Sequence, residues 1–77
     1  MCLAIPGKVL AISGHAPLLR TGTVSFGGVI KEVKFVYLPE ARVDDYVIVN
    51  SGYAIGTLDE AEANRILEYW QQVSTED

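Results

Sequence analysis

Cys2 is the residue whose chemistry and position fit ordinary packing least well. The chain opens MCLAIPGKVLAI, and Cys2 is its only cysteine. A cysteine kept for packing sits within a strand or helix, whereas position 2 is where a chain end tends to fray. Its small side chain favours removal of Met1, which leaves a thiol and a free α-amine on one residue. Their reference pKa values are about 8.5 and about 7.7–8. Together the two groups can close a five-membered N,S chelate on a soft or borderline metal such as Fe(II). The same pair can act as a nucleophile with its own base. The bland alternative is a cysteine buried as a small hydrophobe.

The other reactive residues form no second centre. With one histidine and one cysteine, a Cys-His-Asp triad would be no more than coincidence. His15 falls in a turn-rich Ser-Gly-His-Ala-Pro stretch and reads as a surface residue. Gly27-Gly28 lies between β-rich runs and opens no helix, so it is not a phosphate-binding loop. Asp59, Glu60 and Glu62 resemble a carboxylate cluster, but they sit at a helix start, where capping and the helix dipole account for them.

Size limits what these residues can build. Seventy-seven residues make a single domain, 1–77, that buries roughly 60% of its unfolded surface, too little for a deep catalytic cleft. One cysteine permits no internal disulfide, which suits a reducing compartment. No targeting segment is visible, and no apolar run approaches the ~20 residues that span a bilayer. The expected setting is the cytoplasm, away from membranes. A net charge of −4, with six scattered basic residues, argues against nucleic acid, which requires a basic face.

The elements that must position Cys2 are mostly strands. Lys8 to Ile12 suits a buried strand, and Leu19 to Phe26 a second with Val24 and Phe26 on one face. Gly27-Gly28 signals a tight hairpin. Val29, Lys31, Val33 and Phe35 then alternate with Ile30, Glu32, Lys34 and Val36, a period of two. Tyr46 to Asn50 forms another short strand, and Ser51 to Ala54 leads out of it. The tail changes period: Asp59 is a capping residue with Glu62 three positions on, and Ala63, Ile66, Leu67, Trp70 and Val73 share a helical stripe. Pro6-Gly7 forms either a stiff corner that holds the terminus against the fold or the ordinary start of the first strand. So small a sheet avoids exposed edges by closing. The expectation is a mainly β protein: an OB-like barrel over 1–57, an amphipathic helix over 58–73 covering the barrel or lying beside it, and a frayed tail over 74–77.

These residues resemble a known family. M-C-L-A-I-P-G-K-V closely resembles the N-terminal signature of the HypC/HupF/HybG hydrogenase assembly chaperones. Asp45 to Ile55 (DYVIVNSGYAI) looks like that family's second block, and Leu58 to Ala63 (LDEAEA) is similar to its helix start. The resemblance spans nearly the whole chain and implies a carrier rather than an enzyme. It implies a [NiFe] hydrogenase maturation chaperone that pairs with a HypD scaffold and carries iron bearing cyanide and carbon monoxide ligands. It further implies docking on the hydrogenase large-subunit precursor. Cys2 matches the family's essential cysteine and is the expected metal ligand. Cys2, Leu3, Ala4, Ile5, Pro6, Gly7 and Lys8 would form the partner-binding segment.

One position departs from the family pattern. Where the family typically has V-H-x-G-[FY]-A, this chain has Val49-Asn50-Ser51-Gly52-Tyr53-Ala54, with Asn50 in place of histidine. An amide has no imidazole nitrogen and is a poor iron ligand. Either the HypD partner supplies the missing group, or Asn50 imitates a hydrogen bond, or the client or the iron binding is altered; His15 can substitute only if its turn folds back to Cys2. Asn50, Gly52 and Tyr53 are thus a possible second site. Two other function classes compete: a small OB-like module that binds protein or nucleic acid without iron chemistry, and a Cys2-nucleophile enzyme, whose known folds need more layers than this length supplies.

Overall fold

In the computed structural model, residues 5–14, 16 and 19–75 are described, with side chains through residue 72. Five strands, β1 (Gly7–Ser13), β2 (Thr21–Phe26), β3 (Val29–Lys34), β4 (Tyr46–Asn50) and β5 (Tyr53–Leu58), precede one helix, α1 (Glu60–Thr75). The strands close in the order β1-β2-β3-β5-β4, with β4 returning to β1. This is the small OB-like barrel with a C-terminal helix expected from the sequence.

Local sequence explains the two hairpins. Gly27 and Gly28 join β2 to β3 with φ of 61° and 97°, and Phe26 pairs with Val29 across them. Two consecutive positive φ values match the right-handed strand twist, and glycine reaches them without steric cost. Ser51 and Gly52 repeat the device between β4 and β5, with φ of 54° and 84° and Asn50 paired to Tyr53. Where the sequence pattern suggests only a lead-out from β4, the chain forms the strand β5. In Tyr53–Leu58 only Ala54 is buried, Ile55 is exposed, and Gly56 interrupts the run, so no period of two is visible. β1 is not walled in on both faces. Gly7 and Val9 are buried, Lys8, Leu10 and Ala11 are exposed, and the register shifts between Val9 and Ala11. β2 starts at Thr21 rather than Leu19, which is exposed in the preceding link.

Val9, Val24, Val33 and Val47 point inward from four strands, Ala54 from the fifth, and Phe35 fills the centre. Leu38 and Ala41 complete this cluster from the connection between β3 and β4. Two stacked turns shape that connection: Leu38 N–H donates to the Phe35 carbonyl and Ala41 N–H to the Leu38 carbonyl, at 3.0 and 3.1 Å. The guanidinium of Arg20 then clasps it from β2's side, donating to the carbonyls of Pro39 and Ala41. Close approach also dictates Gly22: a Cβ there would lie 2.2 Å from the Ala11 carbonyl oxygen. Such overlap cannot be relieved without moving β1 from β2.

The seam is where the barrel is least complete. β3 and β5 run parallel and pair only at Lys34 and Tyr53. The Lys34 N–H donates to the Gly52 carbonyl at 2.9 Å, fixing the β4–β5 turn against the end of β3.

The helix begins as the sequence indicates. The Asp59 carboxylate accepts from the Glu62 N–H at 2.7 Å, and Ala63 N–H donates to the Asp59 carbonyl. Glu60 and Glu62 place negative charge at the positive end of the dipole. Leu58 belongs to β5, and α1 continues to Thr75, two residues past its expected end. Of the two expected placements of α1, covering the barrel or lying beside it, the second fits the core. No helical residue joins the core cluster; Ala63 is buried outside it, while Ile66, Leu67 and Trp70 are only half-buried. Sixteen residues extend about 24 Å, and the molecule measures 44 × 22 × 22 Å. Its radius of gyration of 12.7 Å exceeds the roughly 11 Å expected of a compact chain of this length. Among the described residues no helix is long and apolar enough to cross a membrane.

Candidate functional site

The N-terminal segment enters the fold at Pro6 and Gly7, both buried. Gly7 is required by space rather than by backbone conformation. Its φ is not positive, but a Cβ there would lie 2.3 Å from Val24 Cγ1 and 2.6 Å from Phe26 Cε1. Pro6-Gly7 is therefore the anchored start of β1, and no reversal of direction occurs at Gly7. From there β1 pairs antiparallel with β4, Gly7 opposite Val47 and Lys8 opposite Tyr46. Lys8 lies 3.9 Å from the Asp44 carboxylate, both side chains well exposed, an arrangement that contributes little stability.

Continuing that register back from Gly7 sets Ile5 opposite Val49. Ile5 and Val49 do line one groove, together with Asn50, Ser51 and Gly52. The groove follows the seam between β3 and the β4–β5 hairpin, encloses about 860 Å³ and is largely apolar. Phe26, Val29 and Ile55 supply further apolar lining, and Lys31 and Glu32 are its charged residues. Ile5, Val29 and Ile55 remain 44–56% exposed, an uncovered apolar patch.

Asn50 ends β4 and is exposed, its side-chain oxygen accepting a hydrogen bond from the Ser51 hydroxyl at 3.0 Å. That bond commits the carbonyl end of the amide and leaves its N–H groups without a partner among the described residues. Tyr53 opens β5 but does not line the groove. Its ring packs on Tyr37 at 5.3 Å and 44°, with the Lys34 ammonium 5.3 Å from its centroid. Tyr53 is thus a brace for the seam, with cation–π attraction of about 0.5–1 kcal/mol at such an exposed site.

Of the residues singled out from the sequence, Ile5, Asn50 and Gly52 come together in the groove, whereas Pro6, Gly7 and Lys8 anchor β1 beside it. Cys2, Leu3 and Ala4 lie outside the described residues, as does His15. Among the described residues no three His, Cys, Asp or Glu side chains gather where they could hold a metal ion. Ser51, Lys31, Glu32, Val29 and Ile55 also line the groove without standing out in the sequence. Val29 and Ile55 are exposed apolar residues within strands, the one signal that could have marked them.

Comparison with known proteins agrees with this reading of the chain. Residues 1–70 match the model of the HupF/HypC family. Hydrogenase maturation factor HypC of Synechocystis sp. is 52% identical over 68 residues, covering 87% of this chain and 90% of that protein. Its namesake in Cupriavidus necator is 38% identical over 73 residues, 95% of this chain and 77% of the relative. Hydrogenase maturation factor HybG of Escherichia coli K12 is 29% identical over 77 residues, 95% and 92% of the two chains.

Proposed function

Because the chain belongs to the HupF/HypC family, we propose that it is a [NiFe] hydrogenase maturation chaperone that carries iron with its cyanide and carbon monoxide ligands. It does so with a HypD-type scaffold protein and then docks on the hydrogenase large-subunit precursor. The iron group is cargo, held by the Cys2 thiolate and by ligands that the scaffold supplies. Thiolate is a suitable ligand for iron, and Cys2 stands three residues before Ile5, at most about 11 Å along an extended chain.

The observation that carries this reading is the shared groove of Ile5 and Asn50. It brings the segment bearing the family signature to the position where the family typically has histidine. There the free N–H groups of Asn50 are available as donors to an anionic iron ligand, a role an amide fills without binding metal. The exposed apolar lining gives the partner a surface to cover.

Co-expression with the HypD-type scaffold tests the proposal. The chain is expected to co-purify with the scaffold and with iron, and Cys2→Ala to lose both while the barrel stays folded. Unchanged iron content and unchanged hydrogenase maturation in Cys2→Ala would remove Cys2 from this role.

A further inference from the structure

The backbone of β3 is paired along its whole length with β2, but on its other side only at Lys34. Val29 is joined to Phe26 across a two-residue turn, so the hydrogen-bonded pairs with β2 fall at Val29, Lys31 and Val33. The N–H and C=O groups of Ile30, Glu32 and Lys34 therefore point to the opposite edge. Lys34 confirms this alternation, since its N–H reaches the Gly52 carbonyl there. Ile30 and Glu32 have no such neighbour among the described residues, because β5 pairs with β3 at Lys34 alone. Four backbone groups, two donors and two acceptors, thus face the groove's side of the barrel. β3 has neither proline nor bulge to blunt this edge, and its protection rests on Lys31 and Glu32.

We infer that the free edge of β3 takes an extended, uncharged segment of a protein partner, which adds a strand to the barrel at the seam. This deepens the docking reading above and rests on it. The edge from Val29 to Val33 spans about 13 Å, matching five residues of extended chain. Main-chain hydrogen bonds to Ile30 and Glu32 supply register, and Ile5, Val29 and Ile55 offer apolar contact to alternate side chains of the incoming segment. The charged lining is one Lys31 and one Glu32, which cancel. That balance suits a neutral peptide and gives no purchase to a phosphate backbone, despite the OB-like architecture.

Residue-resolved hydrogen exchange on the full chain tests this, alone and with the HypD-type scaffold or the large-subunit precursor. The Ile30 and Glu32 amides are expected to exchange freely in the isolated chain and to slow at least tenfold in one complex, with Lys31 and Val33 little changed. Glu32→Pro removes an N–H that β2 does not use and is expected to weaken that complex at least tenfold. Glu32→Gln removes the charge but keeps the N–H and is expected to weaken the complex far less than Glu32→Pro, with folding of both variants checked by circular dichroism; equal losses in the two variants overturn the edge proposal. A complex that forms while both amides exchange as in the free chain overturns the edge proposal and leaves the docking reading standing. Absence of a complex with either protein overturns both. Protection already present in the isolated chain also overturns the proposal: if concentration-dependent it assigns the edge to a second copy, and if not, to the chain's own first residues.

Discussion

Ile5 and Asn50, near opposite ends of the barrel sequence, line the same groove because β1 and β4 run antiparallel from the Gly7–Val47 pair. The relationship sets the candidate docking surface. Ile5 is already 44% exposed, so replacing it costs the isolated fold little. Ile5→Ser is expected to shift the thermal midpoint by only about 2–4 °C. If a partner covers the rest of the side chain, the lost burial of about 1 kcal/mol lowers affinity roughly fivefold. Calorimetric titration with the HypD-type scaffold reads this; unaltered affinity would place Ile5 outside the interface.

Arg20 holds the connection that completes the core, through the Pro39 and Ala41 carbonyls. Hydrogen bonds to charged groups contribute about 1.5–3 kcal/mol, less when solvent reaches them. Arg20→Ala is expected to cost about 1–2 kcal/mol in urea unfolding. Arg20→Lys is expected to recover only part of the loss, because one ammonium cannot match the two-pronged fork.

Asp59 caps α1 through the Glu62 N–H. Asp59→Ala is expected to cost about 1 kcal/mol of helix stability, and Asp59→Ser to restore most of it. Because no helical residue belongs to the barrel core, the loss is expected as fraying of α1 alone. Faster exchange at the Glu62 and Ala63 amides, with β-strand amides unchanged, would show it. Barrel amides that loosen in step would mean that helix and barrel unfold as one unit.

Local chemistry made much of this protein legible in its sequence. The Gly27-Gly28 turn, the alternation in β3, the strand from Tyr46 to Asn50 and the Asp59 cap each depend on residues within a few positions of one another. Their backbone preferences and side-chain periods therefore act without help from the rest of the chain. The N-terminal signature and Asn50 were visible for the same reason, as short patterns. The strand β5 was hidden because its apolar residues fall on both faces and Gly56 breaks its period.

What tertiary structure alone decided is who meets whom. The meeting of Ile5 with Asn50, the need for glycine at positions 7 and 22, and the reach of Arg20 to Pro39 all arise from strand order and register across long separations. So does the single Lys34–Tyr53 pair that leaves the β3 edge open. The sequence by itself determined four of the five strands, the turns, the cap and the presence of a single thiol, Cys2, near the start of the sequence. Barrel closure decided the groove, because Ile5 and side chains from β3, β4 and β5 become neighbours only when the sheet curls back on itself.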